Sequence, residues 1–487
     1  MNKEINQEIK KSFKQPKSFF LLCFSEIWER FGFYILAYLM VLYTQQVFNF
    51  TDSQAFLQFG VFSGLVVITP SIGGYIGDHF FGLKRSLILG LFLLAIGYGL
   101  LALPGIQFFY LALGFLIVGN GFFKISPANL LARSYKKNDP RIDSGFTLFY
   151  MSINIGSFAA TISAGVLSQL FGWHVAFGGA SLGLLIGLLG FLKYRYVIKD
   201  IGVPACLKKL SFLTYLKIFL GTALAIFIAM LLMKHAELTT YIFISSALLV
   251  AAYYLFELIK SNSKDRQRIL ICLSLMLMGM VFFTLYYQAF MSVNLFINRS
   301  VDRNLLGILI PTPIFQSLNP FWILFLSPVL AHFYNKAGDR GKDLNIATKF
   351  CMGILIISLG FFSLKLATVL NSQTGVVSFG WIVLCYFLYS TGELLISALG
   401  MAMVTKIAPF RMFGVMMGSW YFFSAMGAAL ASHLADLAKI PEGLKDPVKI
   451  LNIYGHAFWV LGCIGLFCAF LSFSLSPLIK KWMGQKD

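Results

Sequence analysis

The sequence predicts an all-α membrane protein of fourteen spanning helices, and three observations carry that reading. Of its 487 residues, 58% are hydrophobic and only 12% charged, with a mean hydropathy of +0.78, far too apolar for an ordinary soluble chain. Apolar runs separated by polar breaks recur at lengths that suit a bilayer, where a crossing takes about 20 residues. The positive charge is unevenly placed: with the N-terminal tail assigned to the cytoplasm, 28 of the 39 Lys and Arg residues fall on that side and 6 on the other. This bias puts both termini in the cytoplasm. It also makes the net charge of +19 a topological signal rather than the footprint of a nucleic-acid partner.

The runs lie near residues 18–43, 54–77, 85–103, 107–133, 143–170, 173–195, 211–233, 238–260, 267–297, 313–335, 346–369, 376–407, 411–436 and 453–477. A polar, lysine-dotted tail (1–17) precedes a six-helix N-terminal bundle (18–195). The linker 196–265 carries two further helices with no central charge, so they read as lipid-facing and peripheral. A six-helix C-terminal bundle (266–477) and a short tail (478–487) complete the chain. Pro70 to His79 and Pro328 to Tyr334 each close a helix before a short basic turn, a faint echo between the two halves. The first apolar run contains Glu26, Glu29 and Arg30, unlike a cleavable signal.

Several chemistries find no support in the residues. The seven cysteines are an odd number, and six lie within apolar runs, so neither a disulfide nor a metal framework follows. The six histidines show no ligand spacing, and no phosphate-binding loop or zinc-protease motif occurs, so no cofactor, metal or ATP-driven step is expected. Gly179-Ala180-Ser181-Leu182-Gly183 matches the hydrolase elbow pattern, but inside a glycine-rich helix it reads as helix packing.

Charges inside the apolar runs are the informative residues, because each costs about 2.5 to 3.5 kcal/mol at mid-bilayer on insertion scales and so faces a cavity or a partner. Five sit deep: Glu26, Glu29, Arg30, Lys124 and Glu393. Glu26, Glu29 and Arg30 share one helical face, with Phe33 and Tyr34 following. They read either as a structural ion pair or as a functional cluster, in which two acids beside one base leave a spare carboxylate able to take a proton. Lys124 precedes Pro127, which frees the Phe123 carbonyl from its helical bond. Glu393 and Ser397 stand four apart on the twelfth run, and Glu393 is the natural partner for Lys124. A cation in one half and an anion in the other suit a zwitterion such as a peptide. Its ammonium would go to Glu393 and its carboxylate to Lys124 and Arg30, across the roughly 7 Å that two residues span at most. Asn154 and Asn319 are either partners for the peptide bond or glue between helices.

At these residues the chain resembles the proton-dependent oligopeptide transporter family, within the major facilitator superfamily. Glu26-Ile27-Trp28-Glu29-Arg30-Phe31 is similar to the family's E-x-x-E-R-F motif, and Phe149-Tyr150-Met151-Ser152-Ile153-Asn154-Ile155-Gly156-Ser157 to its F-Y-x-x-I-N-x-G-S signature. Gly73-Gly74-Tyr75-Ile76-Gly77-Asp78, Gln316-Ser317-Leu318-Asn319-Pro320, Gly392-Glu393-Leu394 and Met416-Met417-Gly418-Ser419-Trp420 match as well. The resemblance implies the major facilitator fold, two six-helix bundles with two extra helices, working by alternating access. It implies that Lys124, Arg30 and Asn154 serve the peptide's carboxyl side, and Glu393 and Asn319 its amino side. Tyr34, Tyr150, Gln288 and Trp420 would line side-chain pockets, with Ser397 beside Glu393, and Glu26 and Glu29 would couple protons.

The sequence departs from the family pattern at Phe33, Ile35 and Val67, in the order Lys124-Ile125-Ser126-Pro127, and at Tyr287, where many members carry a glutamate linked to protonation. The expected function is therefore proton-driven import of di- and tripeptides across a bacterial-type inner membrane, with protons and lipid as the other partners and no enzymatic activity. The alternatives are a related carrier of another amphoteric or anionic substrate, and a peptide sensor or membrane enzyme that moves nothing.

Overall fold

In a computed structural model the chain is described at residues 15–136, 139, 141–199, 201, 211–339 and 345–482. The extreme N-terminal tail, most of the stretch 200–210, the basic turn 340–344 and the last five residues lie outside the described residues. Among the described residues, fourteen helices are long and apolar enough to cross a membrane, as the hydropathy pattern predicts.

The helices are α1 (Lys17–Phe48), α2 (Asp52–Ile76), α3 (Leu83–Leu101), α4 (Ile106–Phe123), α5 (Ser126–Ala132), α6 (Ile142–Leu170), α7 (Trp173–Tyr194), α8 (Phe212–Lys234), α9 (Ala236–Lys260), α10 (Ser263–Tyr286), α11 (Ser292–Ser300), α12 (Thr312–Phe315), α13 (Leu318–Asp339), α14 (Ile346–Leu370), α15 (Gly380–Ile407), α16 (Phe413–Ala435) and α17 (Pro447–Trp482). Two-residue strands pair in the connections: β1 (Val301–Asp302) runs parallel to β4 (Val377–Ser378), and β2 (Asn304–Leu305) is antiparallel to β3 (Ile308–Leu309). In α8 and α9 only 22% and 17% of the apolar stretch is buried, against up to 67% elsewhere, in keeping with an outlying pair.

Three of the spans are broken. α4 stops at Phe123 and α5 starts at Ser126, because Pro127 has no N–H to continue the ladder and instead sits in the first turn of the new segment. A 3-10 turn, Tyr287–Phe290, ends α10 before α11 begins. α12 ends at Phe315, and α13 starts two residues beyond Gln316. In the last case Gln316 holds the break: it donates to the Ala289 carbonyl (2.8 Å) and accepts from the Tyr386 hydroxyl (2.5 Å). Interrupted membrane helices expose backbone groups only where protein or a cavity can satisfy them, so such breaks point toward functional ground.

Contacts group the chain into two compact units. One comprises Met1–Leu36, Thr69–Ser163 and Leu170–Leu231, and the other Ala37–Ile68, Ala164–Gln169 and Leu232–Asp487. The first is packed through glycines that admit a neighbouring helix. A methyl group at Gly183 would lie 2.7 Å from the Trp28 ring, and one at Gly156 would lie 2.6 Å from the Ile27 carbonyl oxygen. Ser181, from the elbow-like pattern, donates to the Ala95 carbonyl (2.8 Å), which is packing and not catalysis. The second unit is tied by Asp52, whose carboxylate receives both terminal nitrogens of Arg299 (2.7 and 2.8 Å), the Gln45 amide (2.5 Å) and the Ile440 N–H (3.0 Å). Asp52 also opens α2, where the helix dipole favours an anion.

The Gly156 contact is testable because the opposing atom is backbone and cannot move aside. Gly156→Val should lower the thermal midpoint in detergent through an overpacking penalty of about 1–3 kcal/mol. Gly221→Val, on α8 where nothing lies within 4 Å, should leave the midpoint nearly unchanged. Equal midpoints for the two variants would refute the close approach.

Candidate functional site

In the first unit, α1 turns Phe24, Trp28 and Phe31 toward Gly183, Gly187 and Gly190 of α7. Helical periodicity then carries Glu26, Glu29 and Arg30 around to the other side, where they are buried. Arg30 grips Glu29 with a two-pronged fork, Nε to Oε2 at 2.5 Å and Nη2 to Oε1 at 2.6 Å. Asn120 of α4 adds a third bond to Glu29 Oε1 at 3.1 Å. Glu26, although one full turn before Arg30, stands off at 3.6 Å, and its Oε2 is buried with no hydrogen-bond partner among the described residues. The i, i+4 spacing alone favours Glu26 as the partner. The fork goes to Glu29 instead because a bidentate bond plus the Asn120 amide satisfies that carboxylate better than a single contact would.

Lys124 stands at the break between α4 and α5, half-buried, and interacts electrostatically with Glu26, Glu29 and Arg30. Arg30 also lies over the Phe33 ring at 4.7 Å, so the phenylalanine that departs from the family pattern still contacts the guanidinium as a cation–π partner. Tyr34 is half-buried and packs edge-on to Phe33 at 5.2 Å. Asn154 is buried and donates to the Tyr150 carbonyl one turn back (3.0 Å), while the Tyr150 ring is exposed. The structure therefore gathers Glu26, Glu29, Arg30 and Lys124 into one charged cluster.

In the second unit, Glu393 of α15 receives the Asn319 amide at 2.8 Å and interacts with the Tyr286 hydroxyl. Asn319 also donates to Ser390 (3.1 Å), so an amide at the start of α13 fixes the carboxylate. Ser397 lies half-buried one turn beyond Glu393. Gln288 is fully buried in the turn after α10, where it donates to the Ala431 carbonyl (2.8 Å) and accepts from Ser292 (2.6 Å). Those bonds make it a brace between segments. Tyr287 joins Phe59, Phe283 and Phe290 in an aromatic cluster. Trp420 of α16 lies edge-on to Phe283 at 6.2 Å and to Phe350 at 6.4 Å. Among the described residues no group of three or more His, Cys, Asp or Glu side chains is placed to hold a metal.

Sequence reasoning did not single out Asn120, Tyr286 and Gln316 for these roles. For Asn120 and Tyr286 the one available signal is a polar group inside an apolar helix.

A family model described as the POT family matches residues 84–449. Dipeptide and tripeptide permease A of Erwinia pyrifoliae is 38% identical over 472 residues, covering 96% of this chain and 95% of that protein. Dipeptide and tripeptide permease B of Photorhabdus asymbiotica is 38% identical, covering 97% and 98%. Among solved structures, a bacterial homologue of the human drug peptide transporters superposes with a TM-score of 0.85 at 31% identity, covering 96% of this chain and 99% of the other.

The bond network ranks its members. Removing the Glu29 charge strips Arg30 of its fork, whereas removing the Asn120 amide deletes one charge-assisted bond worth about 1.5–3 kcal/mol. Glu29→Gln should therefore lower the thermal midpoint more than Asn120→Ala. The opposite order would mean that Arg30 depends on some other partner.

Proposed function

The chain belongs to the POT family, and on that premise we propose that it is a proton-coupled symporter that imports di- and tripeptides by alternating access. The observation that carries this reading is a pair of unlike charge centres, each organised by its own hydrogen bonds within apolar helices. Arg30 and Lys124, clustered with Glu26 and Glu29, supply the cations of one centre, and Glu393, held by Asn319, is the anion of the other. A transporter that recognises a zwitterion needs both signs. A cation also answers a peptide carboxylate with a charge-assisted bond, which is roughly twice as strong as a neutral one.

In this reading the peptide carboxylate goes to Lys124 and Arg30 with Asn154 nearby in sequence role, and its ammonium goes to Glu393 and Asn319, with Ser397 beside them. Tyr34, Tyr150 and Trp420 contribute to side-chain pockets, and Gln288 supports them through its bonds to α11 and α16. Glu26 carries the coupling proton, since Glu29 is fully engaged by Arg30 and Asn120 while Glu26 Oε2 has no hydrogen-bond partner among the described residues. Tyr287 is a phenol where many family members carry a glutamate, so it brings no carboxylate to this role. A neutral zwitterion plus one proton moves one positive charge inward. The field then supplies about 2.3 kcal/mol per 100 mV, enough for about fiftyfold accumulation. The site of action is a bacterial inner membrane, with both termini in the cytoplasm as the basic loops indicate.

Two measurements in proteoliposomes with an imposed pH gradient test the recognition. Lys124→Ala and Glu393→Ala should each nearly abolish dialanine uptake at matched expression, and Lys217→Ala on α8 should not. Acetylating the amino end or amidating the carboxyl end of a competing dipeptide should weaken inhibition about tenfold or more. Equal inhibition by dialanine and its doubly blocked form would point instead to another amphoteric or anionic substrate.

A further inference from the structure

The outlying helix α9 is exposed along most of its length, yet one face carries polar groups that are buried against its neighbours. Tyr254, 3% exposed, places its hydroxyl 2.6 Å from that of Ser419 on α16. Ser419 gives its own proton to the Val415 carbonyl (2.9 Å), so in this pair Tyr254 is the donor. One turn further along, Glu257 pairs with Arg411 at 2.9 Å, and Arg411 donates to Ser261 at 2.6 Å. Tyr254, Glu257 and Ser261 follow an i, i+3, i+7 pattern on α9 and its C-terminal end. Their partners at 419 and 411 run in the opposite direction. At 1.5 Å per residue Tyr254 lies about 4.5 Å from Glu257 and about 10 Å from Ser261 along α9, and Arg411, in the turn that precedes α16, reaches both of these. Two points fixed on a helix set both its slide and its rotation.

The residue after Ser419 is Trp420. Its ring occupies a slot that glycines leave open: a methyl group at Gly279 would lie 2.9 Å from the ring, and one at Gly400 would lie closer still. Phe283 and Phe350 close the slot edge-on. The walls belong to α10, α14 and α15, whereas the backbone that bears the ring belongs to α16.

We propose that α9 is a positioning element for the substrate pocket: Tyr254, acting through Ser419, fixes the seat of Trp420 and thereby sets the size of peptide side chain that the transporter accepts. The proposal rests on the reading of Trp420 as a pocket residue. Tyr254 itself is a positioning residue, and the Glu257–Arg411 pair holds the register that lets it reach Ser419. A helix pair outside both six-helix sets thus gains a role in selectivity rather than in bulk stability.

The test is competition against dialanine uptake by two unlabelled dipeptides, dialanine and alanyl-tryptophan, read as the ratio of their inhibition constants. A purely structural role for Tyr254 changes the amount of folded transporter but not this ratio. Tyr254→Phe should shift the ratio about threefold or more, the loss expected from one hydrogen bond. Ser419→Ala should shift it equally, with no further change in the double variant. Glu257→Gln, which keeps Tyr254 intact, should shift it in the same direction and serves if Tyr254→Phe fails to fold. Tyr253→Phe, at the exposed neighbour, should leave the ratio alone. Trp420→Phe separates the two readings. If Trp420→Phe shifts the ratio while Tyr254→Phe, Ser419→Ala and Glu257→Gln leave it unmoved, α9 has no positioning role and the proposal is overturned. If Trp420→Phe also leaves it unmoved, Trp420 does not line the pocket, and both readings fall.

Discussion

Arg30 donates two parallel hydrogen bonds to Glu29 within a helix that is otherwise apolar, and that fork decides what every charge around it can do. A guanidinium buried in a membrane helix cannot be left unpaired. Once Glu29, itself held by the Asn120 amide, satisfies it, the second carboxylate, Glu26, stands at 3.6 Å with one oxygen that has no hydrogen-bond partner among the described residues. The fork is possible because Gly183, Gly187 and Gly190 draw the aromatic side of α1 onto α7, leaving the charged side to meet α4. Packing thus chooses the electrostatics.

The second unit solves the same problem differently. Among the described residues no base is paired with Glu393, and the neutral amide of Asn319 holds it, with the Tyr286 hydroxyl beside it. Neutral donors fix a carboxylate in place without cancelling its charge, which keeps it available to a cationic ligand. The helix breaks serve this arrangement. Lys124 stands at one, Gln288 within a second and Asn319 just after a third, so the interruptions of the ladder coincide with the residues of interest.

Much of this was legible in the sequence, for a definite reason. A bilayer admits few solutions, so apolar length and basic loops are enough to count fourteen helices and to make any interior charge conspicuous. Pro127 announced its break because proline removes a donor. The break at Tyr287–Phe290 carried no proline, whereas Pro320, in the first turn of α13, marks the break at Gln316 as Pro127 marks its own; the Tyr386 and Ala289 partners of Gln316 are distant in the chain. The choice of Glu29 over Glu26 was hidden too. Periodicity shows that both acids share a face with Arg30, but not where the fork points or that Asn120 completes it. The polar face of α9 is hidden in the sequence because the helix carries no central charge, Glu257 lying near its end.

The central claim is that Glu26 is the carboxylate whose protonation drives accumulation. The most direct measurement is the reversal potential of dialanine flux in proteoliposomes, taken at a fixed peptide gradient while the proton gradient is varied. The wild-type protein should reverse where one proton balances one peptide. Glu26→Gln should exchange peptide across the membrane with a reversal point that no longer moves with the proton gradient. A reversal point in Glu26→Gln that still tracks the proton gradient as in the wild type would contradict the account.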